Sequence, residues 1–357
     1  MFKQENVCLK VPKSQGEKAI VLANKLKIFD KNLKVQSDEK FVYVPLLQTP
    51  SKEELETFKS KGLTFQVLTQ VFPRRWKHPS SLIELLEGKL PPHLLASLPK
   101  SVDFVGDIAI IEVPPELKPY NSLMGEAILK LHKNVKTVLA KAGAVSGTFR
   151  LRKFEVIAGK PKTSTIHKEY GCIYHIDLAK AYFSPRLSYE HYRVASSVRE
   201  GETVLDLFAG VGPFSILIAK LHRDVKVYAV DLNPYAVELL KKNVRVNRVN
   251  GKVYPILGDA KTVVRERLSG IADRVIMNLP ERALNFIDAA CKALKPSGGI
   301  IHFYSFVNTS NTFEKVKNKF FRAVKESGRN VDKVLFSRFV RATAPHEWQI
   351  VLDVKVL

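Results

Sequence analysis

Asp206, Asp231, Asp259 and Asn278 each close an apolar run in the second half of this 357-residue chain. Their order suits a nucleoside. The segment DLFAGVGPFS starts at Asp206 and sets Gly210 and Gly212 directly after one such run, with Pro213 where a helix would begin. Glycines there let the backbone turn tightly and approach a ligand, and proline in a first helical turn is preorganised and gives up no hydrogen bond. Asp231 ends the next run, VKVYAVD, where a carboxylate can accept both hydroxyls of a ribose. Asp259 in LGDA offers an acceptor for an adenine amino group, and Asn278-Leu279-Pro280 follows the fourth run. Any one of these acids could equally be a solvated strand end or a helix cap, and Asp231 before Asn233-Pro234 could cap the next helix. A dinucleotide site obeys the same logic. A pyrophosphate binder, however, carries the third glycine of G-x-G-x-x-G, and here that position is Ser215.

Bringing four run ends to one place requires parallel strands. From Glu202 onwards the pattern is strand, Gly-rich turn, helix, repeated through TVLDLFAGVGPFSILIAKL, VKVYAVDLNPYAVELLKKNVRVN, KVYPILGD and RVIMNLP, which predicts a doubly wound α/β sheet. VLFSRFVRAT, a turn at Pro345 and EWQIVLDVKVL then predict an antiparallel hairpin at its edge. These elements make up a portion expected to span 181–357. Two smaller α/β modules precede it. Residues 1–70 contain the strand-like VCLKV, a helical stretch from Gln15 to Leu26, FVYVPLL and a second helix starting near Ser51. The aperiodic stretch Val71 to Ser80, with Trp76 among its prolines and cations, is expected to be a linker. The middle domain, 81–180, should hold a strand at Phe104 to Pro114, a helix around Ser122 to His132 and a strand at Val135 to Ala140. Beyond FRLRKFEVIAG, paired strands in TSTIHKEYGCIYHIDLAKAYFSP should lead to Pro185 and a helix beginning near Ser188.

Hydrophobic residues at 45% and charged residues at 26% are ordinary for a globular protein, and no apolar run approaches a membrane span. The N-terminus lacks the apolar core of a secretory signal, so a cytoplasmic protein is expected. Cys8, Cys172 and Cys291 have neither disulfide nor zinc spacing and read as small buried hydrophobes; no metal site is expected. The 57 Lys and Arg against 35 Asp and Glu give a formal charge of +22, which points to a polyanionic partner, nucleic acid first, though a merely well-solvated basic surface has the same composition. Nothing calls for an obligate protein partner, and a monomer is expected.

Successive acids at strand ends followed by Asn-x-Pro resemble the class I S-adenosylmethionine methyltransferases, in whose amino-methylating members a similar motif holds the target nitrogen. The likeness narrows further. FRLRKFEVIAG, TIHKEYG, DLAKAYFSPRLSYEHYR, DLFAGVGPFSI, DLNPYAVELLKKN and MNLP look like the archaeal and eukaryotic tRNA (guanine-37-N1)-methyltransferases, over nearly the whole chain and most densely from Phe149 to Pro280. That resemblance implies S-adenosylmethionine as cofactor, tRNA as partner, and a first module that grips the outer corner of the tRNA. It also implies a cofactor set of His191, Asp206, Phe208, Ala209, Gly210, Gly212, Asp231, Leu232, Asn233, Asp259, Ala260 and Asn278.

Guanine N1 carries a proton at neutral pH, so methyl transfer to it needs a base, and a carboxylate is suitable. The family glutamate that follows F-S-P-R-L corresponds to Glu190, and the family arginine that stabilises charge growing on O6 corresponds to Arg150. Asn278 would orient the base, Tyr182 and Pro280 would shape the pocket, and Arg186 would hold the loop or a phosphate. Glu190 lies in a charged helical stretch where a surface residue would also fit, and Arg150 has Arg152, Lys153, Lys160 and Lys162 nearby, any of which could serve phosphate. One departure is Thr343-Ala344-Pro345, where the family often has Tyr-Ala-Pro. The retained Asn-Leu-Pro favours the simple guanine methyltransferase over relatives that act on a wyosine precursor or transfer an aminocarboxypropyl group. A non-catalytic RNA-binding protein and a dinucleotide-linked oxidoreductase are the remaining rivals.

Overall fold

The computed structural model describes residues 3–75, 79–143 and 146–357, so Trp76 in the expected linker lies outside the described residues. The chain packs as two compact units, 1–84 and 85–357. In the first, strands β1 (Lys3–Pro12), β2 (Gln36–Ser37), β3 (Phe41–Pro45) and β4 (Gln66–Pro73) form a sheet in the order β2-β3-β1-β4. Helices α1 (Gly16–Lys25) and α2 (Lys52–Ser60) join them around a core that includes Leu9, Ala19, Val44 and Phe58. A full capping box starts α2: Ser51 accepts from the Glu54 N–H while Glu54 accepts from the Ser51 N–H. Val71–Pro73, expected to open the linker, instead finish β4 and pair with Lys3–Glu5. Because β4 is an edge strand, the missing N–H of Pro73 costs no ladder bond.

Past the short helices α3 (Leu82–Leu86) and α4 (Pro92–Leu95), strands β5 (Asp103–Val105), β6 (Ile108–Ile111), β7 (Thr137–Lys141) and β8 (Phe154–Gly159) form a second sheet in chain order, with α5 (Asn121–Leu131) in the β6–β7 crossover. The single strand expected at Phe104 to Pro114 is two strands. Gly106, at φ +55, breaks the run, and a Cβ there would lie 2.3 Å from the Ile166 carbonyl oxygen.

The hairpin β9 (Ser164–Glu169) and β10 (Cys172–Asp177) leads into α6 (Ser188–Ser197) and then the large sheet. Its elements are β11 (Thr203–Asp206), α7 (Pro213–Leu221), β12 (Lys226–Asp231), α8 (Pro234–Val246), β13 (Val253–Leu257), α9 (Ala260–Val263), β14 (Arg274–Met277), α10 (Ile287–Ala293), β15 (Gly299–Asn308), α11 (Phe313–Glu326), β16 (Val331–Ala344) and β17 (Glu347–Val356). The strand order is β13-β12-β11-β14-β15-β17-β16, parallel as far as β15, with β17 and β16 added as the expected antiparallel hairpin. Alternation sends Ile276, Tyr304 and Val351 to a core shared with α7 and α8, and Val275, Phe303 and Leu352 to one shared with α10 and α11. Two asparagines one helical turn apart, Asn243 on α8 and Asn247 at its C-cap, fasten the hairpin to this sheet. Asn243 accepts from the His175 N–H at 2.7 Å and donates to its carbonyl, and Asn247 does the same for Ile173. They thereby satisfy the open edge of β10, where each orphaned backbone group would cost about 1–3 kcal/mol.

Candidate active site

The ends of β11, β12 and β13 and the loop after β14 face one cavity of about 400 Å³. Gly210 lines it with φ +55, and a Cβ there would meet nothing nearer than the Tyr182 carbonyl oxygen at 3.7 Å. The absent side chain leaves open space for a ligand. Gly212 serves packing: it heads α7 at φ +93, outside the lining, and a Cβ would lie 2.3 Å from Leu240. Asp231 ties the turn down, one oxygen accepting the Gly210 N–H at 2.7 Å and the other the Asn233 N–H at 2.8 Å. Each oxygen retains a lone pair for a hydroxyl donor. Burial raises the Asp231 pKa. The cap of α8 is Asn233, which accepts from the Tyr235 N–H and donates to the Lys180 carbonyl.

Asp259 caps α9 through the Thr262 N–H and also lines the cavity, as do Phe208, Ala209, Leu232, Asn233 and Ala260. Phe208 meets Phe286 edge-on at 5.0 Å. A half-buried carboxylate with spare acceptor capacity, an open glycine turn and an apolar wall are what a nucleoside cofactor requires. Asp206 is placed differently. It is fully buried, lies outside the lining and accepts the Ser215 hydroxyl at 2.8 Å; burial pushes its pKa up to about 7. It supports the turn from within.

Arg150, Tyr182, Asn278 and Pro280 line the same cavity. Arg150 sits at φ +56, an uncommon conformation for a non-glycine residue, with its guanidinium 2.5 Å from Glu281 and over the Tyr182 ring. Two residues that the motifs did not mark complete this side. Arg341 donates to the Tyr182 hydroxyl at 3.2 Å, to Ser184 at 2.9 Å and to Gln349 at 3.0 Å; Gln349 donates to Asn278 Oδ1 at 3.2 Å. This leaves the Asn278 NH2 without a protein partner among the described residues, able to donate to a substrate. Arg341 and Gln349 are cross-strand partners in β16 and β17. The available signal was a buried glutamine in the apolar run QIVLDV.

Glu190 and Arg186 are outside this lining. Arg186 lines an adjoining cavity of about 330 Å³, where it pairs with Asp103 and reaches Ser101. Glu190 is 1% exposed and lies on α6 between cavity-lining Leu187 and His191, one helical turn apart. His191 meets Glu169 through Nδ1 at 2.7 Å and Phe214 edge-on. Burial alone would raise Glu169, but His167 and His191 hold it at about 2.

Residues 165–332 match the family model described as the TRM5/TYW2 methyltransferase domain, 82–163 the TYW2 N-terminal domain and 8–54 the tRNA methyltransferase 5 N-terminal domain. The chain is 37% identical to the tRNA (guanine(37)-N(1))-methyltransferase Trm5b of Pyrococcus abyssi, covering 98% of this chain and 99% of the relative. The chain belongs to the TRM5/TYW2 methyltransferase family. Among solved structures, that of a complex of aTrm5 and tRNALeu aligns with a TM-score of 0.83 at 34% identity, again over 98% and 99% of the two chains. The Methanocaldococcus jannaschii TYW2 structure in complex with AdoMet aligns at 0.55 and 29% identity, covering 99% of that chain but 72% of this one. In this TRM5/TYW2 methyltransferase the cavity spans two family segments. Arg150 belongs to the 82–163 match, most of the lining to 165–332, and Arg341 and Gln349 lie beyond both.

Proposed function

We infer that the protein is a tRNA (guanine-37-N1)-methyltransferase that uses S-adenosylmethionine. The carrying observation is one cavity in which the nucleoside-binding set of Gly210, Asp231 and Asp259 stands beside Arg150, Tyr182 and Asn278. Gly210, Asp231 and the apolar wall around Phe208 and Leu232 would hold the cofactor. When bound, S-adenosylmethionine supplies an electrophilic methyl group whose bond to sulfur breaks, with its electron pair, as the bond to guanine N1 forms. Arg150 places positive charge where electron density grows on O6 as the N1 proton leaves. Asn278, its carbonyl taken by Gln349, donates through its amide nitrogen and fixes the plane of the guanine. Tyr182, held at its hydroxyl by Arg341, forms a wall of the same pocket.

Glu190 is the proposed base, accepting the N1 proton on Oε1. Two features support it: Glu190 lies three residues after cavity-lining Leu187 and directly before cavity-lining His191, and Oε1 accepts no hydrogen bond among the described residues. We assign residues 1–70 to tRNA recognition, in line with the family match at 8–54 and the excess of cations. We further propose that the enzyme is monomeric and cytoplasmic.

The aminocarboxypropyl alternative within the family is less favoured, because the TYW2 structure accounts for only 72% of this chain whereas the guanine methyltransferases account for 98%. The mass of the product nucleoside decides between them. Digestion of a treated tRNA transcript should show guanosine heavier by one methyl group. Addition of an aminocarboxypropyl group, or no addition, would reject the assignment.

A further inference from the structure

We propose that Arg193, Tyr304 and Asp353 form a buried clamp that selects which oxygen of Glu190 takes the guanine proton and sets how basic that oxygen is. The clamp rests on the assignment of Glu190 as the base.

Strand alternation builds it. Arg274 on β14, His302 and Tyr304 on β15 and Asp353 on β17 share the sheet face of Ile276 and Val351, and every one of them is buried. Arg274 donates from Nη1 to His302 Nε2 at 2.8 Å. Arginine has no acceptor, so Nε2 must be the unprotonated nitrogen and Nδ1 carries the hydrogen, which it donates to Asp353 at 2.7 Å. Burial lowers the His302 pKa and keeps the ring neutral. Asp353, fixed in this way, takes one arm of the Arg193 guanidinium on its other oxygen. The rest of that guanidinium turns to Glu190: Nε at 3.0 Å and Nη2 at 2.8 Å both donate to Oε2, and the Tyr304 hydroxyl donates to the same oxygen at 2.8 Å.

Oε2 therefore receives three donors, and Oε1 receives no hydrogen bond among the described residues. Arg338 Nε stands 3.7 Å from Oε1, a third of its side chain exposed. The charged and titratable groups facing Glu190 are thus Arg193 from its own helix, Tyr304 from β15, Asp353 from β17 and Arg338 from β16.

Two consequences follow from chemistry. A carboxylate whose second oxygen is saturated can take a proton only on the other, so the proton has one landing oxygen. A buried carboxylate also needs a cation to stay ionised, yet a cation given to it alone would make it a feeble base. Arg193 is shared: the negative charge of Asp353 offsets part of its pull on the Glu190 carboxylate. Buried ionic networks commonly stabilise a fold no better than apolar packing. A function in tuning the base accounts for this one.

The test is single-turnover methyl transfer to a tRNA transcript at saturating labelled S-adenosylmethionine, measured from pH 5.5 to 9, for wild type, E190Q, Y304F, D353N and R193K. Tyr304→Phe keeps the packing and removes one donor from Oε2, so the acid limb of the rate profile should move up by about one to two pH units. Asp353→Asn removes the offsetting charge, so the limb should move down by about one unit and the plateau rate should fall. Arg193→Lys keeps the charge without the fork and should retain part of the wild-type profile. Affinity for S-adenosylhomocysteine and the KM for tRNA should stay within about twofold throughout. If E190Q methylates at the wild-type rate, Glu190 is not the base and the clamp fails with it. If E190Q is inactive while the Y304F and D353N limbs coincide with wild type, the clamp alone is refuted. Should D353N fold poorly, Y304F decides by itself.

Discussion

Replacing Asp231 by asparagine probes the nucleoside half of the cavity with the smallest change of shape. The carboxylate accepts one backbone N–H on each oxygen, from Gly210 and Asn233, and has one lone pair per oxygen left for the two ribose hydroxyls. Asparagine offers one acceptor oxygen in place of two and no charge. A hydrogen bond to an ionised acceptor contributes roughly 1.5–3 kcal/mol, so losing one outright costs about that much, or about tenfold to a hundred-and-fiftyfold in Kd. Isothermal titration calorimetry with S-adenosylhomocysteine measures this without turnover. Urea unfolding should be run alongside it, because the new NH2 opposes a backbone N–H and should also destabilise the fold by about 1–3 kcal/mol. A second signature is pH. Burial raises the Asp231 pKa, so acidification protonates the carboxylate and wild-type affinity should fall, while that of the variant stays flat. A loss under tenfold in a folded variant would refute the ribose-binding role.

Asp206 gives a stability prediction. Its folded pKa of about 7 exceeds the ordinary aspartate value of 3.8, so the folded state binds the extra proton between about pH 4 and 7, and this residue's contribution to stability declines as pH rises through that window. The Tm of D206N relative to wild type should therefore increase between pH 5 and pH 8, and a constant difference would contradict it. Arg341→Ala frees Tyr182, Ser184 and Gln349 together and should lower kcat by about 10–100-fold with cofactor affinity unchanged; unchanged turnover would remove Arg341 from the positioning of the pocket. Deleting residues 1–84, one compact unit, should weaken tRNA binding by about tenfold or more and leave S-adenosylhomocysteine binding intact, since both large cores lie in 85–357. Equal tRNA affinity would assign recognition elsewhere.

The convergence of strand-end residues on one cavity was legible in the sequence, for a physical reason. A parallel sheet puts every strand end on one side, so acids and glycines closing successive apolar runs must converge, and Gly210, Asp231 and Asp259 do. Pattern alone could not separate a glycine that opens the cavity from one that fits a crowded helix start, which is why Gly212 and Asp206 joined the cofactor set while lying outside the lining. The hairpin at Gly106 was hidden because apolar residues continue on both sides of the turn. Less legible still were the partners of the proposed base. Glu190 and Arg193 are neighbours on one helix, but Tyr304, Asp353 and Arg338 come from three strands whose adjacency depends on long-range pairing of β15, β17 and β16. What the sequence did contain was the anomaly: His302, Gln349 and Asp353 are polar residues inside strands that otherwise read as core.

The most direct measurement pairs two tRNA transcripts that differ only at nucleotide 37, guanosine in one and adenosine in the other, each incubated with the protein and labelled S-adenosylmethionine, followed by nucleoside mapping. Label should appear as 1-methylguanosine at position 37 of the first transcript and be absent from the second. Equal labelling of both, or label at a different nucleotide or ring position, would contradict a base-assisted transfer to guanine N1.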